Sequence, residues 1–188
     1  MSLDQPRLTP AKALPLRPHP ASSLPEEYAI EADVEYGSGL LRVHYRLTAP
    51  PNSLRISGTT DSPKRRDGLW QHTCFELFIA DAESTSYTEL NFSPSGDWAA
   101  YRFTDYRTIS DATPDCPPPG ITTEFANDGL SLSATIAPEI LPSNANWQIG
   151  LSCVLEHADG KLSYWALHHP APRPDFHQRA SFTLSCAH

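Results

Sequence analysis

No part of the 188-residue chain approaches the ~18 consecutive apolar residues of a membrane-spanning helix. The amino terminus also lacks the apolar core of a signal peptide, because Pro6, Pro10, Pro15, Pro18 and Pro20 interrupt every apolar run. A cytoplasmic protein with no membrane partner is expected. Closely spaced cysteines are missing too. Cys74, Cys116, Cys153 and Cys186 lie far apart and form no CxxC pair, which argues against a zinc ribbon or a dense disulfide framework. Cys74 and Cys153 fall inside apolar strand patterns and read as buried free thiols. Basic charge is scarce, with 14 Lys and Arg against 22 Asp and Glu and a net charge of −8. Nucleic acid is therefore not an expected partner, since binding it needs a basic surface that displaces counterions. The single basic run, Lys64-Arg65-Arg66, is flanked by Asp61 and Asp67 and reads as a solvated loop or a small anion patch. No long window has a helical period, no internal repeat occurs, and no GxSxG, P-loop or dinucleotide fingerprint is present.

Proline, by contrast, is abundant. The chain has 19, about twice the usual ~5%. They cluster at 6–25, 50–63, 114–119, 138–142 and 170–174, and the stretches between carry the β-like patterns. Because proline lacks a backbone donor, it disrupts helices and central strands, so these clusters read as punctuation. Residues 1–25 form a Pro-rich extended segment, either a tail or a strand wrapping a sheet edge. Residues 26–188 form one domain whose 18 aromatic residues (4 Trp, 7 Tyr, 7 Phe) can build a core.

Alternation begins at once. Tyr28, Ile30, Ala32, Val34 and Tyr36 share one face, with Glu31, Asp33 and Glu35 opposite. After Gly37-Ser38-Gly39 the next strand sets Leu41, Val43, Tyr45 and Leu47 against Arg42, His44 and Arg46, which makes a hairpin. Further strands are expected at 73–80, 87–93, 97–106, 121–126, 130–137, 147–156, 162–168 and 181–185. Ser93-Pro94-Ser95-Gly96, Asn127-Asp128-Gly129 and Asp159-Gly160 mark turns. About ten short strands predict an all-β fold, an antiparallel β-sandwich or jelly roll.

Three constellations could carry function. In the first, strand period two places Glu76, Glu89, Asn91 and Arg102 in one polar ladder, with Tyr87 and Trp98 between them, if the strands align. Such a surface suits a polyol, because carboxylates and amides exchange hydrogen bonds with hydroxyls while a flat ring covers the apolar sugar face. A cross-strand salt-bridge ladder on a wet face is the alternative. Glu76 and Glu89 could also suggest a glycosidase, but neighbouring strands would set both carboxyls on one face, whereas that chemistry flanks the scissile bond. The second constellation runs from Tyr164 through Trp165, His168 and His169 to Asp175, Phe176 and His177. It could brace a loop, hold a metal, touch a ligand, or use Asp175 and His177 as an acid–base pair, although its spacing matches no familiar metal signature. In the third, Trp70 lies in a loop before a strand, as a core plug or a stacking platform.

The segments 70–79, 87–98, 106–107, 164–169 and 174–177 together resemble the DOMON-like superfamily, which includes the family 9 carbohydrate-binding modules. The pattern spans roughly residues 26–185 and is closest to the bacterial stand-alone members. The resemblance implies a jelly-roll-like sandwich with a ligand face, in relatives that bind sugars or haem. Sugar-binding relatives clamp a terminal sugar between two tryptophans, which would be Trp70 and Trp165 here. Haem-binding relatives use a methionine and a histidine. The only methionine here is Met1, which leaves ligation by His168, His169 or His177 as the haem or metal alternative. The expectation is a non-catalytic module for a small carbohydrate or polyol, with no cofactor, no metal and no catalytic residue. Its ligand residues are Trp70, Glu76, Glu89, Asn91, Arg102, Trp165, His168, Asp175 and His177.

Overall fold

A computed structural model describes residues 13–22, 27–111, 116–144 and 146–187. Twelve strands occur in chain order: β1 (Leu14–Pro18), β2 (Ala29–Gly37), β3 (Leu40–Thr48), β4 (Cys74–Asp81), β5 (Tyr87–Phe92), β6 (Trp98–Asp105), β7 (Thr108–Ile109), β8 (Gly120–Ala126), β9 (Gly129–Ile136), β10 (Asn146–Glu156), β11 (Leu162–Ala166) and β12 (Leu184–Ala187). Three 3₁₀ turns accompany them, and the described residues contain no α-helix. Every strand pair is antiparallel. The order is β7-β6-β5-β4-β10-β11-β1-β2-β3-β9-β8, with β12 alongside β10.

This ribbon folds over on itself into two layers. The β3 residue Tyr45 donates its hydroxyl to the Glu76 carbonyl of β4 at 2.7 Å, and its ring lies 5.0 Å from that of Phe75. The β2 residue Tyr36 meets Trp147 of β10 edge-on at 4.9 Å. Between the layers, Ile30, Val43, Leu47 and Leu132 pack with Phe75, Leu77, Leu90 and Leu151 in one core. Burying each such side chain stabilises the fold by about 1.5–3 kcal/mol.

Among the described residues the proline punctuation holds with one exception. Pro15 and Pro18 lie within β1, which is neither a tail nor an edge strand. Leu14–Leu16 pair with β2 and Arg17–Pro18 with β11, so β1 carries the ribbon from one layer to the other. The four cysteines are free thiols, with Cys74, Cys153 and Cys186 buried. The basic run is partly docked rather than wholly solvated: Arg66 pairs with Asp97 at 2.9 Å, and Arg65 lies over the Trp98 ring.

The outer face of the layer containing β4 is covered as well. Phe78, Tyr87, Phe103 and Val154 project there and pack against Phe176 and Phe182 of the segment leading to β12. Gly150 lets Phe182 approach, since a Cβ at that position would stand 2.8 Å from its ring. As a result β4 and β5 are buried on both faces. The cover is incomplete, and the uncovered part is a cavity.

Candidate ligand-binding site

The cavity has a volume of 460 Å³ and lies against the outer face of β4, β5, β6, β10 and β11. Its floor is set by strand register. Glu76 pairs with Asn91 and Phe78 with Glu89, so both carboxyls project to this face from adjacent strands. Tyr101 and Phe103 extend it from β6, Val154 from β10 and Tyr164 from β11. Pro174, Asp175, Phe176 and His177 form one wall, and Trp70 and Gln71 form another.

Trp70 stands on a single 3₁₀ turn, Leu69–Gln71, entered through Gly68 at φ 78°. A left-handed residue of this kind favours glycine. The turn sends Leu69 inward against Cys74 and Ala99, so Leu69 is the plug. Trp70 remains 41% exposed and meets Tyr101 edge-on at 5.7 Å.

Glu76 and Glu89 are only 3% and 6% exposed. The Glu76 carboxyl accepts one bond, from the Ser152 hydroxyl at 3.3 Å, through Oε2. Burial and the neighbouring Glu89 charge push it well above the usual carboxylate range. Glu89 accepts the Asn91 amide N–H at 2.8 Å through Oε1. Burial raises its carboxyl to about 7, against the opposing pull of that bond and of Arg107. Asn91 Oδ1 is buried with no hydrogen-bond partner, directly across the strand pair from Glu76.

The wall is braced by Asp175. It accepts bonds from the Tyr106 hydroxyl at 2.6 Å, Arg107 Nη2 at 2.9 Å, Gln178 Nε2 at 3.0 Å and the His177 backbone N–H at 3.2 Å. Burial pushes its carboxyl up, but these bonds outweigh burial and hold it below the usual range. Tyr106 and Arg107 reach it from the tight β6–β7 turn, with Arg107 at φ 51°. The Tyr87 hydroxyl accepts the Arg107 backbone N–H at 3.1 Å and bonds His177 Nδ1 at 2.8 Å. The other ring nitrogen of His177, Nε2, lies 3.7 Å from Glu89. Burial, with Arg107 nearby, lowers His177 to about 4, so the ring is neutral near pH 7.

Trp70, Glu76, Glu89, Asp175 and His177 thus come together, with Asn91 bonded beneath Glu89. The other three expected ligand residues, Arg102, Trp165 and His168, do not join them. Arg102 pairs with Thr88, on the opposite face of the sheet from Glu89 and exposed at its margin. Trp98 shares that opposite face and is part of the core. Tyr101 and Phe103 occupy the places read for Trp98 and Arg102. This is a one-residue slip of phase in β6, which exchanges the faces of every side chain in the strand.

Trp165 is likewise a core residue, 3% exposed, opposite Cys153 and donating its indole N–H to Ser163 at 3.1 Å. The neighbouring Tyr164 faces the cavity, so Trp70 and Trp165 form no clamp. His168 is exposed and away from the cavity. His169 is bonded to the Arg17 carbonyl at 2.8 Å, and His177 to Tyr87, so the three histidines do not converge. Among the described residues no group of three His, Cys, Asp or Glu could hold a metal ion. Met1 lies outside the described residues.

Sequence reasoning placed Tyr164 in the second constellation without choosing it as a ligand residue, and it did not select Gln71, Tyr101, Phe103 or Arg107. The β6 pair lies in a strand that is apolar on both faces, and Arg107 carries no local signal because its partner Asp175 is 68 positions away.

No protein-family model matches the chain, and no curated protein matches it in sequence. Solved structures do match. One is a protein from Bacteroides uniformis assigned provisionally to carbohydrate binding, at TM-score 0.68 and 12% identity, covering 90% of this chain and 83% of that one. The chain is similar in fold to family 9 carbohydrate-binding modules. A family 9 module from Caldicellulosiruptor kristjanssonii in complex with glucose matches at TM-score 0.56 and 16% identity, over 92% of this chain and 82% of that one. A family 9 module from the same organism in complex with cellotriose matches at 0.52 and 15%, over 83% and 72%. At these identities the likeness to family 9 modules is one of fold, and the site must be argued from its own geometry.

Proposed function

We propose that the cavity binds a small carbohydrate or similar polyol without transforming it. One observation carries this reading: a half-exposed Trp70 stands at the mouth of a cavity whose floor holds two buried carboxyls. The indole covers the apolar face of a sugar ring, and Glu76, Glu89 and Gln71 exchange hydrogen bonds with its hydroxyls. The volume suits one or two sugar rings. Asp175, tied by four hydrogen bonds, holds its wall in place before ligand arrives, which reduces the entropy lost on binding. The fold shared with modules solved in complex with glucose and cellotriose supports the same reading. Glu76 and Glu89 stand side by side on one sheet face, which suits shared recognition of hydroxyls better than the flanking placement that glycoside cleavage requires.

Calorimetric titration with glucose, cellobiose and a wider saccharide panel tests this. Saturable binding is expected for at least one sugar class, weakened tenfold or more in Trp70→Ala with unchanged melting. Equal affinity in Trp70→Ala would remove the cavity from the account.

A further inference from the structure

We propose that the saccharide taken by this cavity carries a protonated amino group, seated over Glu76 and Glu89. The proposal rests on the carbohydrate reading and narrows it to amino sugars. Its basis is an unbalanced floor. Glu76 and Glu89 are both more than nine-tenths buried, and both line the cavity. Only one oxygen of each accepts a hydrogen bond: Oε2 of Glu76 from Ser152, and Oε1 of Glu89 from Asn91. Among the described residues no hydrogen bond reaches the other two oxygens, and His177 Nε2 stands 3.7 Å from that of Glu89.

Among the described residues no cation bonds this pair. Arg107, the cation lining the cavity, is bonded to Asp175 at 2.9 Å, and its pull on Glu89 only partly offsets burial. His177 is held neutral, bonded through Nδ1 to Tyr87. Burying two adjacent carboxyls without a counter-charge is costly, and the expected remedy is protonation or an incoming cation. A neutral sugar needs neither, since amides and hydroxyls would serve its hydroxyl groups. An ammonium brings both the charge and three donors for the free oxygens. The walls agree with this chemistry, because Trp70, Tyr101 and Tyr164 line the cavity and aromatic rings attract a cation as well as the apolar face of a sugar.

Three disaccharides that differ in one substituent decide the matter: the β-1,4-linked glucosamine dimer, its di-N-acetylated form, and cellobiose. Calorimetry near pH 7 is expected to show the glucosamine dimer binding tenfold or more tighter than the other two. Its affinity should fall at lower pH as Glu89 takes up a proton, while that of cellobiose does not. In Glu89→Gln, and independently in Glu76→Gln, the ratio of the two affinities should collapse to about twofold or less, whatever change the variant makes to cellobiose binding itself. Cellobiose binding as tightly as the glucosamine dimer would overturn the proposal and leave the carbohydrate reading standing. A preference that survives in both folded Gln variants would also overturn it. Failure of every saccharide in the wider panel and of all three dimers would overturn both.

Discussion

Replacing Glu89 with Gln should make the stability of this protein depend on pH in a new way. A carboxyl whose folded value lies above its ordinary one keeps its proton in the native state after the unfolded chain has released its own. It therefore lowers stability as pH rises from the unfolded value to the folded one. For Glu89 that window runs from 4.5 to about 7 and corresponds to about 3 kcal/mol. His177 has the opposite sign. Its folded value of about 4 lies below its ordinary 6.5, so it adds stability as pH rises between these values. The two offset each other between about pH 4.5 and 6.5 in the wild type. Glu89→Gln keeps the shape and an acceptor for Asn91 but cannot ionise. Measured by urea melts from about pH 4.5 to 8, the variant should gain up to about 3 kcal/mol on the wild type as pH rises, whatever its constant offset. A difference that stays within about 0.5 kcal/mol across the range would refute the buried, uncompensated carboxyl on which the site depends.

Further substitutions probe the frame around the site. Trp165→Ala should cost about 3–5 kcal/mol in chemical denaturation, as expected of a core indole, and Trp165→Phe should retain ligand affinity because the side chain faces away from the cavity. Gly150→Ala should cost about 1–3 kcal/mol, because the new Cβ would press on Phe182. Asp175→Ala removes the acceptor for four donors; a loss of about 1–3 kcal/mol and faster hydrogen exchange in residues 174–178 are expected.

Most strands were legible because period two is a local signal. The alternations in β2 and β3 needed nothing beyond the sequence, and the Asn-Asp and Asp-Gly turns fixed two hairpins. β1 was obscured by Pro15 and Pro18, and the two-residue β7 was too short to carry a pattern. The phase of β6 was lost for a physical reason. Its inner face carries Trp98 and Ala100, and its outer face Ala99, Tyr101 and Phe103, because the C-terminal segment covers the outside of the sheet with Phe176 and Phe182. Where both faces are apolar, alternation cannot tell which one looks inward. The same ambiguity exchanged Trp165 with Tyr164. Glu76, Glu89 and Asn91 were read together correctly because each is a polar residue in an otherwise apolar strand. The link from Asp175 to Arg107 crosses 68 residues of sequence and was visible only in three dimensions.

The central claim is that ligand meets Trp70 over the acidic floor. Nitrogen-labelled protein gives one indole N–H resonance for each of its four tryptophans. Trp98, Trp147 and Trp165 are buried in the core, and Trp70 alone stands half-exposed at the cavity. Titrating the glucosamine dimer and cellobiose should move the Trp70 resonance along a saturable curve while the other three stay nearly still. Saturable shifts elsewhere with Trp70 unmoved, or no shift with any saccharide, would contradict the account.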